Sequence, residues 1–213
     1  MEKLQANKSY HIFNHANGSE NLFTEDENYR YFLEKYRTYI SPIAETYAYC
    51  LMPNHFHLVL RIRRKEEIED LIVATKFSKV QNFGKLEEAI SNNEIERFLS
   101  KQFSNFFSSY TLSFNKRNER MGSLFMKNFK RELISDRDFF LSAIVYTHRN
   151  PIHHGFCTTY LDWSYTSYSE IREQKSEIIQ IEKLIKVFGG EQQFVRMHQD
   201  GLDKFKQSQS LDV

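Results

Sequence analysis

Residues 45–63 constrain the fold more than any other stretch. Two apolar runs, "ETYAYCLM" (45–52) and "HFHLVLRIR" (55–63), have strand composition and are separated only by Pro53-Asn54. Proline cannot donate to a sheet ladder and asparagine favours turns. The pair therefore predicts a tight hairpin, or a kink, between two strands that read as buried. The second run opens with His55 and His57 where Val or Ile would pack better. Residues two apart in a strand share a face, so both imidazoles project together and Phe56 turns the other way. Either they are core histidines with satisfied ring nitrogens, or they hold a cation.

The rest of the chain supplies an α+β plan. "SYHIFNHA" (9–16) reads as a strand with Tyr10, Ile12 and Asn14 on one face, ending at Gly18. Tyr29, Phe32, Leu33, Tyr36 and Ile40 recur at helical spacing in 25–40, behind an acidic first turn and ahead of Pro42. Residues 66–83 read as helix, and 84–96 as a short helix and loop. A long amphipathic helix over 96–117 carries Leu99, Phe103, Phe106, Tyr110 and Phe114 in register. "GSLFMKNFKRELI" (122–134) reads as a strand bearing Lys127 and Arg131. Residues 136–150 read as a helix capped by Asp136 or Ser135 and stopped by Pro151. After Trp163 the composition turns to a charged helical extension divided at Gly189-Gly190. The expected fold is an antiparallel sheet with helices packed mainly on one face, ferredoxin-like or RRM-like. It divides into a unit over 1–170 and a C-terminal helical extension over 171–213.

Composition narrows the class. A chain of 213 residues with 19 Phe and 12 Tyr has ample material for one core, and three Pro and seven Gly argue against low complexity. Two distant cysteines, Cys50 and Cys157, provide neither a disulfide framework nor a cysteine-rich metal site. No signal-peptide core or bilayer-length apolar run is present, so the expectation is a soluble, cytoplasmic protein with no membrane partner. The net charge of +1 does not announce a nucleic-acid binder, but its distribution is uneven. Lys116, Arg117, Arg120, Lys127, Lys130 and Arg131 are opposed only by Glu119, while acids gather at 24–30. Such a stripe either tracks a phosphate backbone or is a solvated helix end and loop.

Two ligands do not make a catalytic site. "AIVYTHRNPIHHG" (143–155) offers Tyr146 and Asn150, four apart and so on one helical face. On spacing alone, Tyr146 is a core aromatic or a reactive hydroxyl. Asn150 is a helix cap before Pro151, or a hard oxygen ligand suited to Mg²⁺ or Mn²⁺.

"YCLMPNHFHLVL" followed by "YTHRNP" resembles the HUH single-tyrosine transposases, in particular their REP-associated branch. "YHIFNHANGSENLFTEDENYRYFLEKYR", "SSYTLSFNKR", "GSLFMKNFKRELI" and "LDWSYTSY" extend the resemblance over residues 8–170. It implies a metal-binding pair at His55 and His57, a nucleophile at Tyr146 and a third ligand at Asn150, with Mg²⁺ or Mn²⁺ as cofactor. It further implies cleavage and rejoining of single-stranded or hairpin DNA through a 5′-phosphotyrosine, and a possible homodimer. Many relatives have Trp where this chain has Phe125. Lys116, Arg117, Arg120, Lys127, Lys130, Arg131 and Arg149 are the candidate DNA contacts. Tyr110 is the rival nucleophile, but its helix is rich in core Phe, and Phe114 one turn on cannot ligate. Other classes that remain are a regulator that binds nucleic acid without catalysis and a metallonuclease that uses water.

Overall fold

A computed structural model describes residues 2–77 and 89–211. Readings over 78–88, including the end of the helix expected at 66–83, lie outside the described residues. Four strands form one antiparallel sheet: β1 (Ser9–His15), β2 (Ala44–Met52), β3 (His55–Ile62) and β4 (Lys130–Ile134), in the order β2-β3-β1-β4. Pro53 and Asn54 make the two-residue connection of the β2–β3 hairpin, with Met52 opposite His55.

Alternation in the strands separates two faces. Tyr10 pairs with Leu60, Ile12 with Leu58 and Asn14 with Phe56, and this face looks toward α1 (Asp26–Tyr39) and α3 (Asn92–Arg117). Phe32 of α1 lies at the centre of the core. Its ring centroid is 4.8 Å from Phe106, 5.2 Å from Tyr110, 5.2 Å from Phe23 and 5.3 Å from Phe56. The five α3 residues expected on one stripe are all buried. Phe125 is buried against Phe107 (5.0 Å) and Tyr110 (6.0 Å), so this position serves packing. Between β3 and α3 lies α2 (Lys65–Phe77).

Two expectations need correction. The strand over 122–134 shortens to β4, and Lys127 sits in the loop before it. Asn128 at φ +64° and Gly122 at φ +89° take left-handed backbone, which breaks a ladder; a bridge from Ala16 to Phe125, a bond from Met126 N–H to His15 C=O (2.9 Å) and one from Asn14 Nδ2 to Met126 C=O (3.2 Å) hold the loop to the sheet. The helix expected to stop at Pro151 continues as α4 (Arg137–His153), with Asp136 as its cap accepting from Phe139 N–H at 2.8 Å. Proline's fixed φ suits a helix and costs it one hydrogen bond. The helix ends where Gly155 enters φ +73°, with Phe156 N–H on Pro151 C=O (2.9 Å) and Gly155 N–H on Ile152 C=O (3.1 Å). This is a Schellman closure, and it needs glycine there.

α4 covers the second face of the sheet, along β2 and β3. The chain then follows the outer edge of β2. Leu51 N–H bonds to Tyr165 C=O (2.9 Å) and Gln180 N–H to Thr46 C=O (2.9 Å), which shields that edge from pairing with another chain. α5 (Ser167–Arg172), α6 (Ile181–Phe188) and α7 (Glu191–Leu211) complete the extension. α7 approaches α4 so closely at Gly201 that a Cβ there would lie 2.8 Å from Val145 Cγ1.

A directional hydrogen-bond chain fastens the extension. His198 Nδ1 donates to Phe194 C=O (2.8 Å), so its Nε2 accepts from His148 Nδ1 (2.9 Å), and His148 Nε2 accepts from the Ser167 hydroxyl (2.8 Å). The chain closes only with both rings neutral. Burial pushes His198 down to about 4 against the bond to Phe194, and pushes His148 well below its ordinary value. A histidine whose pKa is lower folded than unfolded stabilises the fold above pH ~6.5, and that stability is lost as pH falls toward the folded value. The fold is therefore expected to be about 2 kcal/mol less stable at pH 5 than at pH 7.5 from His198 alone. Urea denaturation at the two pH values measures this, and His198→Gln should flatten the dependence. An equally steep loss in the variant would remove His198 from the account.

Candidate active site

The sheet face under α4 is unusually rich in imidazole. Antiparallel register places Phe13 opposite His57 and His15 opposite His55, so β1 contributes His11, Phe13 and His15 to the face that carries the His-x-His pair. The His55 and His57 rings meet edge to face at 5.3 Å. α4 brings Tyr146 and Asn150 onto them. The Tyr146 ring stands edge-on to His57 at 5.6 Å and to His11 at 5.9 Å. Asn150 Oδ1 lies 3.1 Å from His55 Nε2. The structure thus gathers His55, His57, Tyr146 and Asn150 in one place.

Exposure divides them sensibly. Asn150 is fully buried, whereas Tyr146 is 39% exposed on a cleft of about 300 Å³ lined also by His11, His57, Glu132 and Phe139. A molecule in the cleft can reach the phenol, while His55, His57 and Asn150 stay buried beneath it. Tyr110 is the opposite case. It is 1% exposed, its hydroxyl donates to Leu22 C=O at 2.5 Å, and burial drives its pKa upward. That hydroxyl is structural.

The donor set suits a small divalent cation. His55 Nδ1 faces Asn54 Oδ1 at 2.7 Å and must donate to it, which leaves Nε2 as a lone-pair nitrogen facing the lone pairs of Asn150 Oδ1. A lone-pair nitrogen and an amide oxygen at this spacing can share a cation, whereas a turned Asn150 amide would instead donate from Nδ2 to His55 Nε2. Adjacent ligands of an octahedral Mg²⁺ at 2.0–2.1 Å lie about 3 Å apart, which is the spacing observed here. On the other side of the amide, Asn150 Nδ2 is buried without a hydrogen-bond partner. Burial lowers His55 to about 4, with the neighbouring His15 and His154 adding to the shift, and lowers His57 to about 2 with help from the neighbouring His11 and His55. Neutral imidazole is the ligating form. Among the described residues, no three His, Cys, Asp or Glu side chains converge as a metal-holding group. A cation site between His55 and His57 would therefore need the asparagine oxygen as well.

The basic candidates scatter. Arg117 pairs with Glu25 and Glu27, and Arg120 grips Glu20 through Nε at 2.7 Å, so both stitch α3 to acidic segments. Lys116 is exposed at the end of α3, and Lys127 borders a groove between α3 and the 122–129 loop. Arg131 lies half-buried over Phe129 (5.0 Å), its pKa lowered by burial. Arg149 donates to Gly201 C=O at 2.9 Å. Lys130 stands beside the cleft, with its ammonium 5.9 Å from the ring of Phe13, one of the cleft's lining residues.

Sequence reasoning missed His11, Phe13 and Glu132. The alternation His11, Phe13, His15 mirrors His55, His57, but only the β1–β3 register shows that the two sets are neighbours.

No family model matches the chain. A Haemophilus influenzae protein that carries the name REP-associated tyrosine transposase is 24% identical over 136 residues, covering 63% of each chain. The chain thus spans somewhat under two thirds of that relative's length. The solved structure of a REP-associated tyrosine transposase bound to a REP hairpin superposes with a TM-score of 0.52 at 13% identity, over 85% of this chain and 87% of that one. It shares the fold, a four-stranded antiparallel sheet with helices. In sequence the chain is similar to one protein named a REP-associated tyrosine transposase, and it shares the fold of another.

Proposed function

We propose that the chain is a transposase or endonuclease acting on single-stranded, hairpin-bearing DNA, which it cuts and rejoins through a tyrosine–DNA intermediate. One observation carries this reading: the half-exposed Tyr146 phenol stands against His57, and Asn150, one helical turn away, presents its oxygen to His55. Residues 1–170 would carry the chemistry and 171–213 would brace α4 from behind.

Tyr146 Oη attacks the scissile phosphorus. The P–O3′ bond breaks, the leaving oxygen takes a proton as a 3′-OH, and the 5′ phosphate stays on the tyrosine. One phosphodiester has replaced another, so an incoming 3′-OH can reverse the step and join a different strand. A free phenol ionises near pH 10 and is a weak nucleophile at neutral pH. Mg²⁺ or Mn²⁺ held by His55, His57 and Asn150 would neutralise charge on the phosphate under attack. The protein's own part is alignment. α4 is pinned at its far side by His148 and Gly201, which fixes where Tyr146 stands. Lys130 is the foremost phosphate contact, with Lys116, Arg117, Arg120, Lys127, Arg131 and Arg149 further out.

The test is a covalent-adduct assay. Labelled single-stranded oligonucleotides from DNA flanking the gene, hairpins included, are incubated with Mg²⁺ or Mn²⁺ and run on a denaturing gel. The expected result is a shifted protein–DNA band, abolished by chelation, whose DNA-bearing peptide contains Tyr146. Cleavage that leaves no protein attached would identify a water-using nuclease and sink the tyrosine mechanism. Tight binding without cleavage across the flanking DNA would favour a regulator.

A further inference from the structure

We propose that His11, backed by Glu132, is a positioning residue that sets the tautomer of His57 and so presents its Nε2 lone pair to the cation site. The proposal rests on the reading of His57 as a ligand. His11 Nε2 lies 2.9 Å from His57 Nδ1, and the two rings stack at 5.1 Å with 15° between their planes. A hydrogen bond between two neutral imidazoles has a direction, and something must choose it. Glu132 stands directly opposite His11 in the β1–β4 pairing, with Oε2 3.6 Å from His11 Nδ1.

An ionised carboxylate has only lone pairs to offer, so it favours the proton on His11 Nδ1. His11 Nε2 is then the acceptor, and His57 must donate from Nδ1. His57 Nε2 is left without a proton, as a ligand nitrogen requires. Histidine ligands are commonly oriented by a carboxylate or carbonyl on the second ring nitrogen, and losing that partner weakens metal binding 10- to 100-fold. Here the same device is longer by one imidazole: carboxylate, His11, His57, then the cation. The extra ring carries the line from Glu132 on the solvent side of β4, at ion-pair distance from His11, past β1 through a hydrogen bond to His57 on β3. It also places His11 against the Tyr146 ring, so one side chain contacts both the ligand and the nucleophile.

The experiment reads tautomers and metal binding without DNA. Long-range ¹⁵N–¹H NMR at pH 7.5 assigns the proton on each imidazole of the full chain, and Mn²⁺ titration by calorimetry gives affinity. Wild type is expected to show His57 protonated at Nδ1 and His11 protonated at Nδ1. In His11→Phe, which keeps a flat ring but no acceptor, His57 should redistribute toward the Nε2–H form and Mn²⁺ should bind about 10- to 100-fold more weakly. His11→Gln, whose amide oxygen can accept, should restore the Nδ1–H form and most of the affinity. A merely structural role would not be rescued this way. If His11→Phe fails to fold, Glu132→Gln on the exposed strand takes its place, and loss of the directing carboxylate should show as mixed tautomers at His11. The proposal is overturned if wild-type His57 carries its proton on Nε2, or if the His57 tautomer and Mn²⁺ affinity are unchanged in the variants. Failure of wild type to bind Mn²⁺ would count against the metal reading of the site itself, while the wild-type tautomers would still decide the role of His11.

Discussion

Tyr146→Phe is expected to abolish the covalent protein–DNA band and to lower strand cleavage by on the order of 10⁴-fold or more, the scale seen when a catalytic nucleophile is removed. Only an oxygen is lost. The ring keeps its edge contacts with His57 and His11, and at 39% exposure the hydroxyl is not holding the core together. Stability should stay within about 0.5 kcal/mol of wild type, so the loss of activity cannot be laid to unfolding. Tyr110→Phe should do the reverse. Its buried hydroxyl donates to Leu22 C=O, and removing it leaves a buried carbonyl short of a partner at a cost of about 1–3 kcal/mol, with the adduct retained. Gel assays and urea melts on the two variants separate the roles. Cleavage and adduct both persisting in Tyr146→Phe would require another nucleophile.

Phe32→Ala is expected to give the largest loss of stability, about 3–5 kcal/mol by urea denaturation. The side chain is completely buried where α1, α3, β3 and the 22–23 turn meet, in ring contact with Phe23, Phe56, Phe106 and Tyr110. Those neighbours come from three different segments and cannot all collapse into the void, so the cavity persists. For a domain stabilised by 5–15 kcal/mol, this can be a large fraction of the whole. A loss below about 1 kcal/mol would mean that the aromatic cluster repacks freely, and the core would then be looser than its ring contacts imply.

The sequence by itself determined the elements whose signals are local. A Pro-Asn pair between two apolar runs, an apolar or aromatic residue every three or four positions from Leu99 to Phe114 and an acidic cap before 137 each act through neighbouring backbone, and each lies where expected. His-x-His on one face and Tyr146 with Asn150 on another are likewise consequences of strand and helix period, legible without a fold. Where local signals competed, tertiary packing decided. The Pro151 stop signal yielded to a helix that continues one turn to the glycine closure, keeping Asn150 inside the helix and against His55 rather than at a frayed end. The alternating pattern of 122–129 yielded to left-handed turns at Gly122 and Asn128, leaving Lys127 off the strand.

Only the tertiary structure could decide which side chains meet. His11 and Glu132 are separated by most of the domain in sequence, yet they are cross-strand neighbours; His11 and His57 touch because β1 inserts between β3 and β4. Strand order and register carry no local signature, since any apolar strand pairs acceptably with any other until the whole core is satisfied at once. The same holds for charge. Arg117 and Arg120 look identical to Lys130 as members of a basic stripe, but folding pairs the first two with Glu25, Glu27 and Glu20 and leaves Lys130 beside the cleft. The residue types and their period were written locally; the partner of each was set by global packing, because contact depends on where distant backbone comes to rest.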